Sequence, residues 1–150
     1  MGKPRVWLEL YQKAVSDSPI DCEWLKLNPL ALEMKDGLGE TVLHYLAVEN
    51  NPDGIKKLIA VGATVNTQNV FGNTPIMESS QLGYRNIIAL LYSSGADINI
   101  KNKKGNDIFE HLEEYNKQKM IEYLKNLKKQ SRWSFSSNKY NMTGTHRSKE

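Results

Sequence analysis

The chain has one cysteine, Cys22, in 150 residues. That excludes an internal disulfide framework and is compatible with a reducing compartment. It has no apolar run of about 18 residues, so no membrane span is expected. The N-terminus, MGKPRV, lacks the apolar core of a secretory leader and has Val6 where a myristoylation signal wants Ser or Thr. A soluble, cytoplasmic protein is the expectation. Charge of one sign is also scarce. Twenty Lys and Arg against 17 Asp and Glu give +3, much of it from the C-terminal tail, too little to imply a nucleic-acid partner. There is no Gly-rich phosphate loop and no G-x-S-x-G elbow. His44, His111 and His146 are dispersed, and no His/Cys/Asp grouping has metal-ligand spacing, so neither metal nor cofactor is expected. Cys22 and His44 are the pair a nucleophile–base reading would need, and nothing in the sequence places them together. An enzyme is therefore not expected.

What the chain does have is repetition. Residues 36–68, DGLGETVLHYLAVENNPDGIKKLIAVGATVNTQ, are restated as NVFGNTPIMESSQLGYRNIIALLYSSGADINIK in 69–101. Gly39 and Gly72, Thr41 and Thr74, Gly62 and Gly95, Ala63 and Ala96, and Asn66 and Asn99 are each 33 residues apart. Gly105 is another 33 beyond Gly72. Gly39, Gly72 and Gly105 fall where a tight turn needs positive φ. Thr41 and Thr74 follow where a helix begins and predict N-caps; Pro75 suits the first helical position, which Val42 takes in the first copy. Leu43 and Ile76 open apolar stripes with Ala47 and Ser80, small enough for a second helix to approach. Second helices carry Ile55, Leu58 and Ile59, then Ile87, Ile88, Leu90, Leu91 and Tyr92, at helical spacing. Gly62-Ala63 and Gly95-Ala96 stop them, and Val65 and Ile98 turn the chain back.

The ends are eroded. Residues 4–35 read as a degenerate first unit. Pro4 opens a helix through Val6, Leu8, Leu10, Tyr11 and Val15. Ser18-Pro19 caps a second with Ile20, Trp24, Leu25 and Leu27, and Asn28-Pro29 stops it. Trp7 and Trp24 are expected in the core or lining a groove. A third copy, 102–128, keeps Gly105, with Asp107 as cap and Ile108 in place of proline; its more charged helices suit an outer wall. From about Ser131 the periodicity ends, so 129–150 is expected to be a disordered tail. Trp133, Phe135 and Tyr140 among Lys128, Lys129, Arg132, Lys139 and Arg147 raise a nucleic-acid or anionic-surface reading; the composition favours a solvated tail or a short partner-binding segment. The triplet Asn141-Met142-Thr143 spells a glycosylation acceptor, silent without a secretory leader.

A period near 33 is the ankyrin value, and the chain resembles the ankyrin-repeat family over roughly 4–128, most closely over 36–99. The resemblance implies an all-α repeat solenoid of about four helix-turn-helix units with short β-hairpin fingers. In the family's T-P-L-H signature, matched as Thr41-Val42-Leu43-His44, the histidine is expected to hydrogen-bond around the hairpin and helix start. Met77 stands at its place in the second copy. The family acts by binding proteins through hairpin tips and the inner faces of first helices. The tips map to Gly37, Leu38 and Glu40, to Val70, Phe71 and Asn73, and to Lys103, Lys104 and Asn106. The inner-helix positions map to Tyr45, Val48 and Glu49, to Glu78, Gln81 and Leu82, and to His111, Glu114 and Tyr115. Val70-Phe71 departs from the usual polar tip. Exposed, it would join Leu38, Tyr45, Leu82 and Tyr115 in one patch; folded back, Phe71 would pack on the next finger. Glu49 and Glu78 beside Lys103 and Lys104 suggest a mixed rim. The wording GETVLHYLAVENN is similar to small bacterial ankyrin proteins, some of them immunity proteins encoded beside secreted toxins. A monomer that blocks a protein partner, such as a toxin, is the first reading. An adaptor with a docking tail is the second.

Overall fold

The computed structural model describes residues 2–142, with side chains through 134. Among the described residues there are eight α-helices and no strand. They are α1 (Arg5–Val15), α2 (Cys22–Leu27), α3 (Val42–Val48), α4 (Pro52–Ala60), α5 (Pro75–Leu82), α6 (Arg85–Ser93), α7 (Ile108–Glu114) and α8 (Gln118–Met142), with a short 3-10 turn at Ala31–Glu33. None is long and apolar enough to cross a membrane.

The repeated residues explain the repeated helices. Thr41 caps α3 by accepting from the His44 N–H, and His44 answers through its own side chain. Asn51 caps α4 at Gly54 N (2.9 Å), with Pro52 in the first turn. Asp107 caps α7 at two backbone N–H groups, and Glu110 returns to the Asp107 N–H (2.9 Å), a reciprocal capping box. The helices then stack in two rows. α1, α3, α5 and α7 touch in sequence along the inner row, and α4, α6 and α8 do so along the outer one. α1 meets α4 directly as well. Between the rows lies one continuous core: Trp7 and Leu10, then Leu43, Leu46, Ile55 and Leu58, then Ile76, Met77, Ile87 and Leu91, then Ile108, Leu112, Ile121 and Leu124. Each such side chain contributes roughly 1.5–3 kcal/mol through its removal from water.

Three expectations are corrected. Ser18 does not cap the second helix. Asp21 does, accepting from Glu23 N (2.9 Å), while the Ser18 carbonyl takes the Lys57 ammonium from α4. Ile20 is buried ahead of α2, and Leu27 on α2 points to solvent. Thr74 makes no capping bond; its Oγ1 is buried without a partner. Finally, the chain from Ser131 is not structureless, since α8 runs on to Met142. The outer helices α4 and α6 stop just before Gly62 and Gly95, both at positive φ. The corresponding position in α8 is Lys128, so nothing breaks the helix there. The expectation for residues 143–150, Thr143 of the acceptor triplet included, falls outside the described residues.

Candidate partner-binding face

The fingers are built from a residue type that the sequence reading passed over. Asp36, Asn69 and Asn102 are also 33 residues apart. Asp36 Oδ1 accepts from Leu38 N (2.9 Å) and Glu40 N (3.0 Å). Asn69 Oδ1 accepts from Phe71 N and Asn73 N, both at 3.0 Å, and Asn102 Oδ1 from Lys104 N (3.0 Å) and Asn106 N (3.1 Å). Each is an Asx turn. Two backbone bonds close each finger, as in Asn69 N to Asn73 O (3.0 Å) and Gly72 N to Asn69 O (2.9 Å), so the fingers are tight turns rather than strand ladders. Gly39, Gly72 and Gly105 follow at φ of +73°, +76° and +83°. Neighbouring fingers are tied by Val70 N to Leu38 O (2.9 Å) and Lys103 N to Phe71 O (3.0 Å). The approach is so close that a Cβ on Gly72 would lie 2.6 Å from Lys103 N.

This frame leaves the tip side chains outside. Phe71 is 59% exposed and Val70 41%, so Phe71 does not fold back onto the next finger. With Lys103, Lys104 and Tyr115 they line a groove of about 520 Å³, with Glu78, Gln81, Asn73 and His111 toward its floor. Leu38, Glu40 and Tyr45 lie instead around a second concavity of about 550 Å³, with Lys3 and Asp36. Glu49 and Leu82 line neither; Glu49 accepts from the Tyr11 hydroxyl (2.9 Å), and Leu82 is exposed at the end of α5. The residues grouped in one patch from sequence thus line different concavities, although Val70 and Leu38, joined by a backbone hydrogen bond, are neighbours and both exposed.

Two of the expected contact residues are interior. Asn73 is buried, giving its amide to Glu78 Oε1 (2.9 Å) and accepting from Asn102 Nδ2 (3.1 Å). His111 is 3% exposed, with Nδ1 facing Asn102 Nδ2 at 3.5 Å and Nε2 unpartnered. Burial lowers its pKa. On the rim, Lys104 pairs with Glu114; their hydrogen bond holds the carboxyl below its usual range and the ammonium above. Glu40 is pushed up, chiefly by burial and then by Asp36 and Glu78. The Lys3 ammonium stands 3.8 Å over the Tyr45 ring.

His44 has the structural place expected of it. Its Nε2 lies 3.1 Å from the Asn73 carbonyl in the next finger, an acceptor only, so Nε2 carries the proton. Nδ1 then accepts from Thr41 N (3.3 Å) and Oγ1 (3.0 Å). Burial depresses its pKa. Cys22 is exposed whereas His44 is fully buried with both ring nitrogens engaged, so His44 offers no base to that thiol. No group of three His, Cys, Asp or Glu among the described residues could hold a metal ion.

A family profile described as "Ankyrin repeats (3 copies)" matches residues 12–102. The chain is similar to ankyrin repeat protein OPG189 of variola virus, 34% identical over 93 residues, which are 62% of this chain and 16% of that protein. It is also similar to the transient receptor potential cation channel subfamily A member 1 homolog of Caenorhabditis elegans, at 38% over 71 residues (46% of this chain, 6% of that one). The E3 ubiquitin-protein ligase KEG of Arabidopsis thaliana is 31% identical over 71 residues, 47% of this chain and 4% of that enzyme. The chain thus spans a small fraction of the length of these curated relatives. What they share with it is the stacked unit, and since the profile covers well over half of the chain, the protein belongs to the ankyrin-repeat family.

Proposed function

We propose that the groove between the second and third fingers and the inner helices α5 and α7 is where this protein–protein interaction module engages its partner, with Phe71 and Val70 as the apolar anchor. The observation that carries the reading is the exposure of this pair at the edge of a concave surface whose rim is polar. A bulky apolar side chain ringed by polar groups is how interface hot spots are built. Lys103, Lys104, Gln81 and Tyr115 supply the surrounding contacts. Leu38, Glu40 and Tyr45, on the second concavity, extend the footprint along the finger row, with Glu49 and Leu82 at its margins. Occupying the partner is taken to block it, as an immunity protein blocks a toxin, a reading that rests on the wording of residues 39–51.

The test is capture from the native host with wild type and a Val70→Ser/Phe71→Ser variant whose circular dichroism and melt match wild type. A stoichiometric protein held by wild type and bound at least about 30-fold more weakly by the variant is expected, equivalent to about 2 kcal/mol. Equal capture by both baits would remove the anchor from the groove. A captured protein whose activity is unchanged by the complex would replace the blocking reading with an adaptor.

A further inference from the structure

The net charge of +3 conceals an uneven distribution. Residues 1–116 carry 11 Lys and Arg against 15 Asp and Glu, a net of −4, whereas residues 117–134 carry six against one, a net of +5. The three ion pairs among the described residues, Arg5–Glu9, Lys26–Glu23 and Lys104–Glu114, use none of those six cations. Because α8 continues past Lys128, the cations are arranged on a helix. Its packed side carries Met120, Ile121, Leu124 and, less deeply, Leu127, and reaches as far as Ser131, whose hydroxyl meets that of Tyr92 on α6 (3.1 Å). At 100° per residue the opposite side carries Glu122, Lys125, Lys129 and Trp133, with Arg132 at its edge, whereas Lys128 lies on the flank of the packed side and is half-buried. Trp133 is 75% exposed.

We propose that this outward face of α8 binds single-stranded nucleic acid: Lys125, Lys129 and Arg132 contact successive phosphates, and Trp133 stacks on a base. Three observations select this ligand over other anions. Among the side chains described, through residue 134, the outward face offers one apolar group, so that stretch lacks the run of anchors at i, i+3, i+4 and i+7 by which a helix docks in a protein groove. For the same reason it has no apolar stripe to bury in a lipid surface. An exposed aromatic with cations one and four residues before it is the combination that single strands use, one π-face per base and one positive group per phosphate. The site lies on the outer row of the stack, away from the fingers, and does not depend on the partner-binding reading.

The experiment is fluorescence anisotropy of a labelled 16-nucleotide thymidine oligomer titrated with the full chain. Trp133→Ala and Lys129→Glu/Arg132→Glu variants are run alongside, each first checked for an unchanged melt. Wild type is expected to bind at 50 mM salt, with a log–log salt slope of about −2 for three phosphate contacts, a roughly 15- to 20-fold loss by 200 mM. The charge-reversal variant should lose binding altogether. Trp133→Ala should bind roughly tenfold more weakly with the slope unchanged. Absence of wild-type binding at 50 mM salt would overturn the proposal. So would a Trp133→Ala variant that binds like wild type, or tighter binding to a 16-base-pair duplex or to phosphatidylserine vesicles, which would mark the face as a general polycation.

Discussion

Residues 36–68 and 69–101 build the same two helices and the same finger, yet start the inner helix with different chemistry. In the first copy Thr41 and His44 cap each other, and His44 reaches across to the Asn73 carbonyl of the second. In the second copy the cap position makes no side-chain bond, Met77 replaces the histidine in the core, and Glu78 instead gathers the amides of Asn69 (3.2 Å) and Asn73 (2.9 Å). What the copies share is backbone: an Asx acceptor at the finger base, a glycine at positive φ, and a tip carbonyl that accepts an N–H from the next finger. The repeat is thus a backbone geometry, and the side chains that start each helix are interchangeable ways of meeting its demands.

The sharpest break in this comparison is made at the shared element. Gly72→Ala should cost about 2–4 kcal/mol in urea melts, because positive φ strains any L-residue and the new methyl meets Lys103 N at 2.6 Å. Gly105→Ala, with a similar φ but open space around it, should cost about 1 kcal/mol. Equal losses would mean that the finger-to-finger approach carries no weight.

A smaller effect separates the two helix starts by pH. His44 is held neutral, with a folded pKa below the ordinary 6.5 that it regains on unfolding. Its contribution is therefore complete above pH 6.5 and is lost as pH falls from there toward the folded value. His111 adds in the same direction. His44→Met, the choice of the second copy, should cost about 1–2 kcal/mol at pH 7.5, and its melting temperature should fall less than that of wild type between pH 7.5 and 5. Parallel curves would show that His44 does not set the acid limb.

The smallest effect concerns the caps themselves. Thr41→Val should lose about 1 kcal/mol. Thr74→Val removes a buried hydroxyl that has no partner, and should be neutral or slightly stabilising in the same melts.

How far the sequence spoke for itself varied with the kind of signal. Gly39, Gly72, Gly62, Gly95 and the apolar stripes were legible because one residue type meets each need, so identity repeats along with geometry. The Asx positions were not, since Asp36 and Asn69 do one job with different letters. The length of α8 was hidden for the opposite reason: its signal is a missing glycine at position 128. At the site, two apolar residues at a turn tip marked out Val70-Phe71 but left both outcomes for Phe71 open, and the exposure came from the structure. The burial of Asn73 and His111 did not, because it depends on how neighbouring units close over them. Ser18-Pro19 misled because a proline suited to a first turn does not by itself outcompete a carboxylate three residues later.

The Asx acceptor and the glycine enclose two residues in every finger: 37–38, 70–71 and 103–104. The turn is held through backbone N–H groups and carbonyls, which every amino acid but proline provides in full, so the fold places little constraint on which residues fill those six positions. The recognition surface can accordingly drift while the scaffold stays put. Exchanging the dipeptides as cassettes is a direct route to giving this stack a new specificity.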